Sequence, residues 1–468
     1  MTMLRRTVAV GVLALTLTHA AASAQAPSAQ AAIAPWLISY RDATLRLMTA
    51  ATADDFAWRR LAELTDLYGG RISGSESLAG AVAWASATMT RDGLENVRTE
   101  PVMVPHWVRG AESVELLLPT RSPLTAVGLG GSVPTPPGGL EADLIVVGSF
   151  EELRARASEV RGRMVLFNAP FVSYGETVTY RTGGARAAAA FGAVATLVRA
   201  IGPTGLRTVH TGSVEYSTDA PPIPAASLAA EDANRLARLA ASGQRLRIRL
   251  SLESRTLPDA PSANVVAEIR GRERPDEIVL VGGHLDSWDI SPGASDDGAG
   301  CIVAWEALRL MKTLGLRPRR TVRLVLWTNE EHGVRGGQAY AAAHAAEASR
   351  HVFALESDSG VFAPLVMGFS GSPAARQTIR DILGLLAPIV PSELVAGGGG
   401  ADIGPIAQLG GVPTGALIGD PARFFPVHHS PADTVERIPT QDLARAAAMM
   451  AGLTYVVAEM PAPLARER

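Results

Sequence analysis

The sequence predicts an α/β fold from about residue 257 onward, on three observations. Residues 278–281, 322–327 and 352–355 are apolar runs of strand length. Each run ends in a polar, glycine-flanked loop, and helical stretches separate the runs. In open α/β sheets ligands sit beyond the carboxyl ends of the strands, so these loops are where functional residues are expected.

The remaining elements are read in chain order. Arg5 and Arg6, the apolar run 8–17 and Ala22-Ser23-Ala24 predict a cleavable leader over residues 1–24. The apolar run is too short for a membrane span of about 20 residues. A secreted or periplasmic location follows as an expectation. After a polar linker, residues 41–68 read as helix, 71–75 as a Gly/Ser break, 78–89 as a second helix and 97–107 as a strand. Composition changes near residue 113, where short apolar strands with Pro/Gly turns begin (114–118, 143–147, 164–167, 193–198, 246–252). Helical stretches 183–191 and 230–241 interrupt them. Residues 113–256 therefore predict an inserted, β-rich binding or lid unit, between residues 33–112 and 257–460 of one host domain. His210 is isolated within that unit and reads as a surface residue.

Composition excludes several function classes. A net charge of −3 gives no reason to expect nucleic acid. Lys312 is the only lysine and lies late in a helical stretch without a phosphate-cradling loop, which excludes a P-loop NTPase. Cys301 is the only cysteine, so neither an internal disulfide nor a thiolate cluster can form; at the start of an apolar helix it reads as a packing residue. No G-x-S-x-G nucleophile elbow is present.

Five segments carry the chemistry: Gly282-Gly283-His284-Leu285-Asp286, Gly293-Ala294-Ser295-Asp296-Asp297-Gly298, Asn329-Glu330-Glu331-His332-Gly333, Glu356-Ser357-Asp358-Ser359-Gly360 and the late loop from Phe425 to Thr434 with His428 and His429. Taken singly, Asp296-Asp297-Gly298 is an ordinary turn or helix cap, and Glu330-Glu331 an ordinary solvated pair. Taken together, mostly at strand ends, they supply what metal-assisted hydrolysis needs. Imidazole and carboxylate bind zinc, a carboxylate can bridge two ions, and a free carboxylate can carry a proton. His284, Asp296, Glu330, Glu331, Asp358 and His429 meet that requirement.

These motifs resemble the co-catalytic dizinc aminopeptidase/carboxypeptidase family over nearly the whole chain after the leader, from Gly69-Gly70-Arg71-Ile72-Ser73-Gly74-Ser75 to Leu453-Thr454-Tyr455-Val456-Val457-Ala458. The resemblance implies a mixed-sheet zinc-peptidase domain with helices on both faces. It also implies that the insert is a protease-associated domain, carried by residues 160–167 and 223–227. By position it implies two zinc ions per chain: His284 and Asp358 on one, Glu331 and His429 on the other, Asp296 bridging. Glu330 becomes the general base and then acid, and the Asp296–Asp297 bond is cis. Asp286 orients His284 from behind with its carboxylate, beside Asp297, while His428 stands where some relatives carry an oxyanion-stabilising Tyr. The implied partner is a dipeptide or short peptide, and a homodimer is plausible. Alternatives from other classes are an aminopeptidase acting on longer peptides, a one-zinc glutaminyl cyclase and a non-catalytic receptor-like module. Such sites also accept cobalt or manganese.

Overall fold

The computed structural model describes residues 33–467, so the leader expected over residues 1–24 lies outside the described residues. Two eight-stranded sheets organise the chain. In the first, the spatial order is Glu95–Val108, Arg255–Ile269, Arg320–Trp327, Arg274–His284, His351–Ser357, Thr414–Ile418, Val366–Ser370 and Glu393–Ala396. Its four central strands, from Arg320–Trp327 to Thr414–Ile418, run parallel, and antiparallel pairings flank them.

Strand periodicity explains why both faces are covered. Val279 and Val281 point into a core shared with helices Arg41–Thr52, Phe56–Tyr68, Glu76–Arg91, Ala299–Thr313, Pro373–Leu386 and Thr440–Glu459. Ile278 and Leu280, one residue out of phase, point into a second core with Tyr340 of helix Arg335–Ala343 and Ile406 of helix Gly404–Gly410. A sheet buried on both sides reads as a continuous apolar run. That is the pattern seen at 278–281. Among the described residues no helix is long and apolar enough to cross a membrane.

The second sheet uses strands between Glu112 and Leu252 and has helices Thr179–Ala189 and Ala230–Ala241 in separate apolar clusters. Its order is Ser122–Leu124, Glu112–Leu118, Arg247–Leu252, Leu140–Val147, Met164–Phe167, Ala195–Arg199, Ala225–Leu228 and Ala126–Gly128.

Two expectations are corrected. The single helix over 41–68 is two helices, Arg41–Thr52 and Phe56–Tyr68, because Asp54 Oδ1 accepts the Phe56 amide (2.9 Å) and competes with helical pairing. A 15-residue strand, Arg255–Ile269, runs across the expected boundary at 256/257. Its first half, with Pro258 and Pro261, is an exposed two-stranded ribbon with Glu95–Val108, where proline is tolerated.

Arg323 ties the first sheet to its outer helices. Only 8% exposed, it donates to Glu268 (2.7 Å), Glu347 (2.6 Å) and the Tyr340 hydroxyl (3.0 Å). His344 joins Glu347 (2.7 Å) to Glu100 (3.1 Å). Burial works against both carboxylates, yet His344 and Arg98 hold Glu100, and Arg323 and His344 hold Glu347, below the usual carboxylate range. Such groups contribute stability above the unfolded value of about 4.3, and that contribution is lost as pH falls through the lower folded values. Arg323→Met strands the carboxylates and is expected to cost about 3–5 kcal/mol at pH 7, read as a lowered urea midpoint. The deficit should shrink in acid, where the carboxyls are neutral. An unchanged midpoint at pH 7 would show that the cluster adds no stability.

Candidate active site

Strand Arg274–His284 delivers His284 at its carboxyl end. The ring is fully buried, and Nδ1 lies 2.9 Å from the backbone carbonyl of Asp286. That contact places the proton on Nδ1 and leaves the Nε2 lone pair free. Two glycines let the next helix begin against this strand end. A Cβ at Gly283 would stand 2.3 Å from Asp297 Oδ2, and one at Gly300 would stand 1.8 Å from the Ser357 carbonyl. Both Asp297 oxygens are taken by backbone donors, the His284 amide (3.0 Å) and the Gly300 amide (3.1 Å). The Asp296–Asp297 peptide bond is cis.

Asp296 is the centre of the arrangement. Its Oδ1 lies 3.3 Å from His284 Nε2, which is also 3.3 Å from Asp358 Oδ1. Its Oδ2 faces the other way, 3.2 Å from His429 Nε2 and 3.3 Å from His428 Nε2. His429 Nε2 is 2.9 Å from Glu331 Oε2. Donors held about 2.0–2.1 Å from one tetrahedral zinc stand roughly 3.3 Å apart. The spacings match that requirement on both sides of one carboxylate. His284 Nε2 and Asp296 Oδ2 are buried without any hydrogen-bond partner, as lone pairs awaiting a cation would be. Nitrogen and oxygen donors of this kind suit zinc. The grouping of His284, Asp297 and Asp358 is also compact, but the backbone already occupies Asp297, so Asp296 is the better donor.

The remaining residues are placed as follows. The carboxylate of Asp286 stands 3.9 Å from His284 Nδ1 and accepts the amides of Glu330 (3.0 Å) and Glu331 (3.3 Å) instead. The expected orientation of His284 thus comes from the Asp286 backbone, while its side chain anchors the Glu330–Glu331 turn. The ring of His428 stacks on that of His429 at 3.7 Å. Asp433, given no role from the sequence, accepts from the Ser295 amide (2.8 Å), the Ser295 hydroxyl (2.6 Å) and the Asp296 amide (3.1 Å). It fixes the loop that carries Asp296. Its signal was its position four residues after His429 in the same loop. His210 is buried rather than on the surface, and burial followed by the charge of His429 pushes its pKa down to about 4. Cys301 is buried, as expected of a packing residue.

The electrostatics reflect the crowding of carboxylates. Burial pushes Glu330 well above the usual range, reinforced by Asp358 and Glu331, and pushes Glu331 up to about 6. Burial opposes charge on His284 and His429, but Asp358 and Asp296 raise the first and Glu331 the second. Burial likewise opposes charge on Asp296, but His428, His284 and His429 hold it well below the usual range. Burial and the neighbouring His429 keep His428 neutral.

Known proteins share this architecture. Residues 264–454 match the model of peptidase family M28. The chain is 43% identical to human carboxypeptidase Q, over 91% of its own length and 90% of that protein's. It is 44% identical to the Xenopus laevis protein of the same name, over 92% of each. The crystal structure of a peptidase M28 precursor from Shewanella amazonensis superposes with a TM-score of 0.88 at 34% identity, covering 91% of this chain and 98% of that one. A zinc aminopeptidase from Bacillus subtilis shares the fold at 22% identity, with a TM-score of 0.65 over 87% and 96% of the two chains. Sequence likeness, fold and donor chemistry agree: the chain is a zinc-dependent exopeptidase belonging to peptidase family M28.

Proposed function

We propose that this exopeptidase cleaves dipeptides with both ends free, using two zinc ions that share Asp296. The observation that carries the proposal is the opposed pair of Asp296 oxygens, each about one tetrahedral edge from further donors. His284 and Asp358 would complete one ion's protein ligands, and Glu331 and His429 the other's. When bound, such ions polarise a carbonyl oxygen and acidify a water.

The chain's own residues do the rest. Glu330 is half-buried beside the donor set without belonging to it, and its raised pKa suits a group that accepts a proton from water and returns it to the leaving amine. His428, kept neutral and 3.3 Å from Asp296 Oδ2, can donate its ring N–H to the substrate carbonyl oxygen. Asp286 and Asp433 position the Glu330–Glu331 turn and the Asp296 loop. The unit built on residues 112–252 acts as a protease-associated lid, supported by its contacts with His429 and Glu331. The leader expected at residues 1–24 would export the chain.

Glu330→Gln is expected to lower kcat by about 10²–10⁴-fold while the zinc content stays at two per chain. Full turnover with both ions bound would sink the assignment. Asp433→Asn places an amide N–H against donors already facing it, so zinc affinity measured by chelator competition should fall about 10–100-fold. Unaltered affinity would remove Asp433 from the site. Matched dipeptides with either terminus blocked should both be poor substrates. Rapid cleavage of the C-terminally blocked one would point to an aminopeptidase acting on longer peptides.

A further inference from the structure

We propose that the inserted unit is a working part of one metal site and not of the other. Arg181, on helix Thr179–Ala189, positions His429 and thereby sets the affinity for the ion held by Glu331 and His429. The proposal rests on the two-metal reading above.

His429 must present an unprotonated Nε2, so its proton sits on Nδ1 and is donated to the nearest acceptor, the Thr211 carbonyl at 3.2 Å. Arg181 Nη1 donates to the same carbonyl at 3.3 Å and lies 3.3 Å from Nδ1 itself. Its Nη2 donates to the Tyr174 hydroxyl at 3.0 Å, which fixes the plane of the guanidinium. The Thr211 amide donates to the His429 carbonyl at 2.9 Å. That bond steadies a residue whose φ of +56° falls in a region costly for a side chain other than glycine. Two residues on, Ser213 Oγ donates to the Glu331 carbonyl at 2.9 Å. A Cβ at Gly212 would stand 2.2 Å from Arg181 Cζ, so the backbone there is cut away to seat the guanidinium.

Both ligands of one ion are therefore held by residues 211–213. The other ion's ligands are not. His284 is oriented by Asp286 and Asp297, and Asp358 follows strand His351–Ser357. Among the described residues no hydrogen bond joins His284 or Asp358 to the inserted unit. The two sites share Asp296 and differ in who supports them.

Zinc titration of the metal-stripped full chain, by calorimetry with a competing chelator, tests the proposal. The unaltered chain should bind two ions. Arg181→Met should keep one affinity and weaken the other about 10–100-fold, and anomalous diffraction should locate the retained ion beside His284 and Asp358. Ser213→Ala, a milder change on the same segment, should weaken the same site by a smaller factor. Arg199→Met is the control, because this buried arginine of the same unit donates only to the carbonyls of Ala200 and Gly202; both of its affinities should match the unaltered chain. The proposal is overturned if Arg181→Met and Ser213→Ala leave both affinities intact, if they weaken both sites alike, or if Arg199→Met is equally selective. Fewer than two ions on the unaltered chain would overturn the two-metal reading, and this asymmetry with it.

Discussion

A shortage of positive charge at the carboxyl edge of the first sheet governs this molecule. Asp286, Asp296, Asp297, Glu331, Glu356, Asp402 and Asp433 are all buried there. Arg71, a fully buried cation on that side, spends its guanidinium on the carbonyls of Gly69, Leu285, Pro292 and Gly293. Uncompensated buried charge costs several kcal/mol per ion. The chain answers in three ways. Backbone amides satisfy Asp286, Asp297 and Asp433. Burial drives Glu356 up to about 7, towards its neutral form. The donors around Asp296 are left needing a cation, and the reaction chemistry depends on that unmet need.

The sequence named the candidate-site residues that directly follow apolar strands. His284, Glu330, Glu331 and Asp358 stand where a run of valines and leucines ends, and strand direction alone carries them to one edge. Asp296 and His429 could be named only through their motifs, since neither follows a strand. The geometry of Asp286 was open to misreading because its residue type suggests a carboxylate contact where its backbone makes the one that counts. Asp433 carried no signal beyond its place four residues after His429 in the late loop. Its task is to accept backbone amides 137 and 138 residues away in sequence, and no local pattern records such a partner.

The same limit applied more strongly to the inserted unit. A single histidine and scattered arginines among alanines gave no cluster to recognise. Arg181 meets His429 only when the second sheet is folded against the late loop, so the unit was legible as a binding or lid unit but its residue contacts with that loop were not. Its two longer helices and five of its eight strands were legible, since each is a compact run between turn residues. The strands Ser122–Leu124, Ala126–Gly128 and Ala225–Leu228 and the helices Phe150–Ala155 and Tyr174–Thr177 were not, because so few residues display no period.

The long ribbon joining Glu95–Val108 to Arg255–Ile269 has a bearing on how the chain assembles. Its two strands leave the ribosome well over a hundred residues apart, a separation at which loop closure in a flexible chain is entropically costly. The second sheet closes within that interval and brings its own ends, Glu112 and Leu252, together as paired neighbours. A domain that collapses first shortens the effective loop the host must close. Folding can therefore run inside out, with the guest serving as the clasp on which the host's outer strands meet.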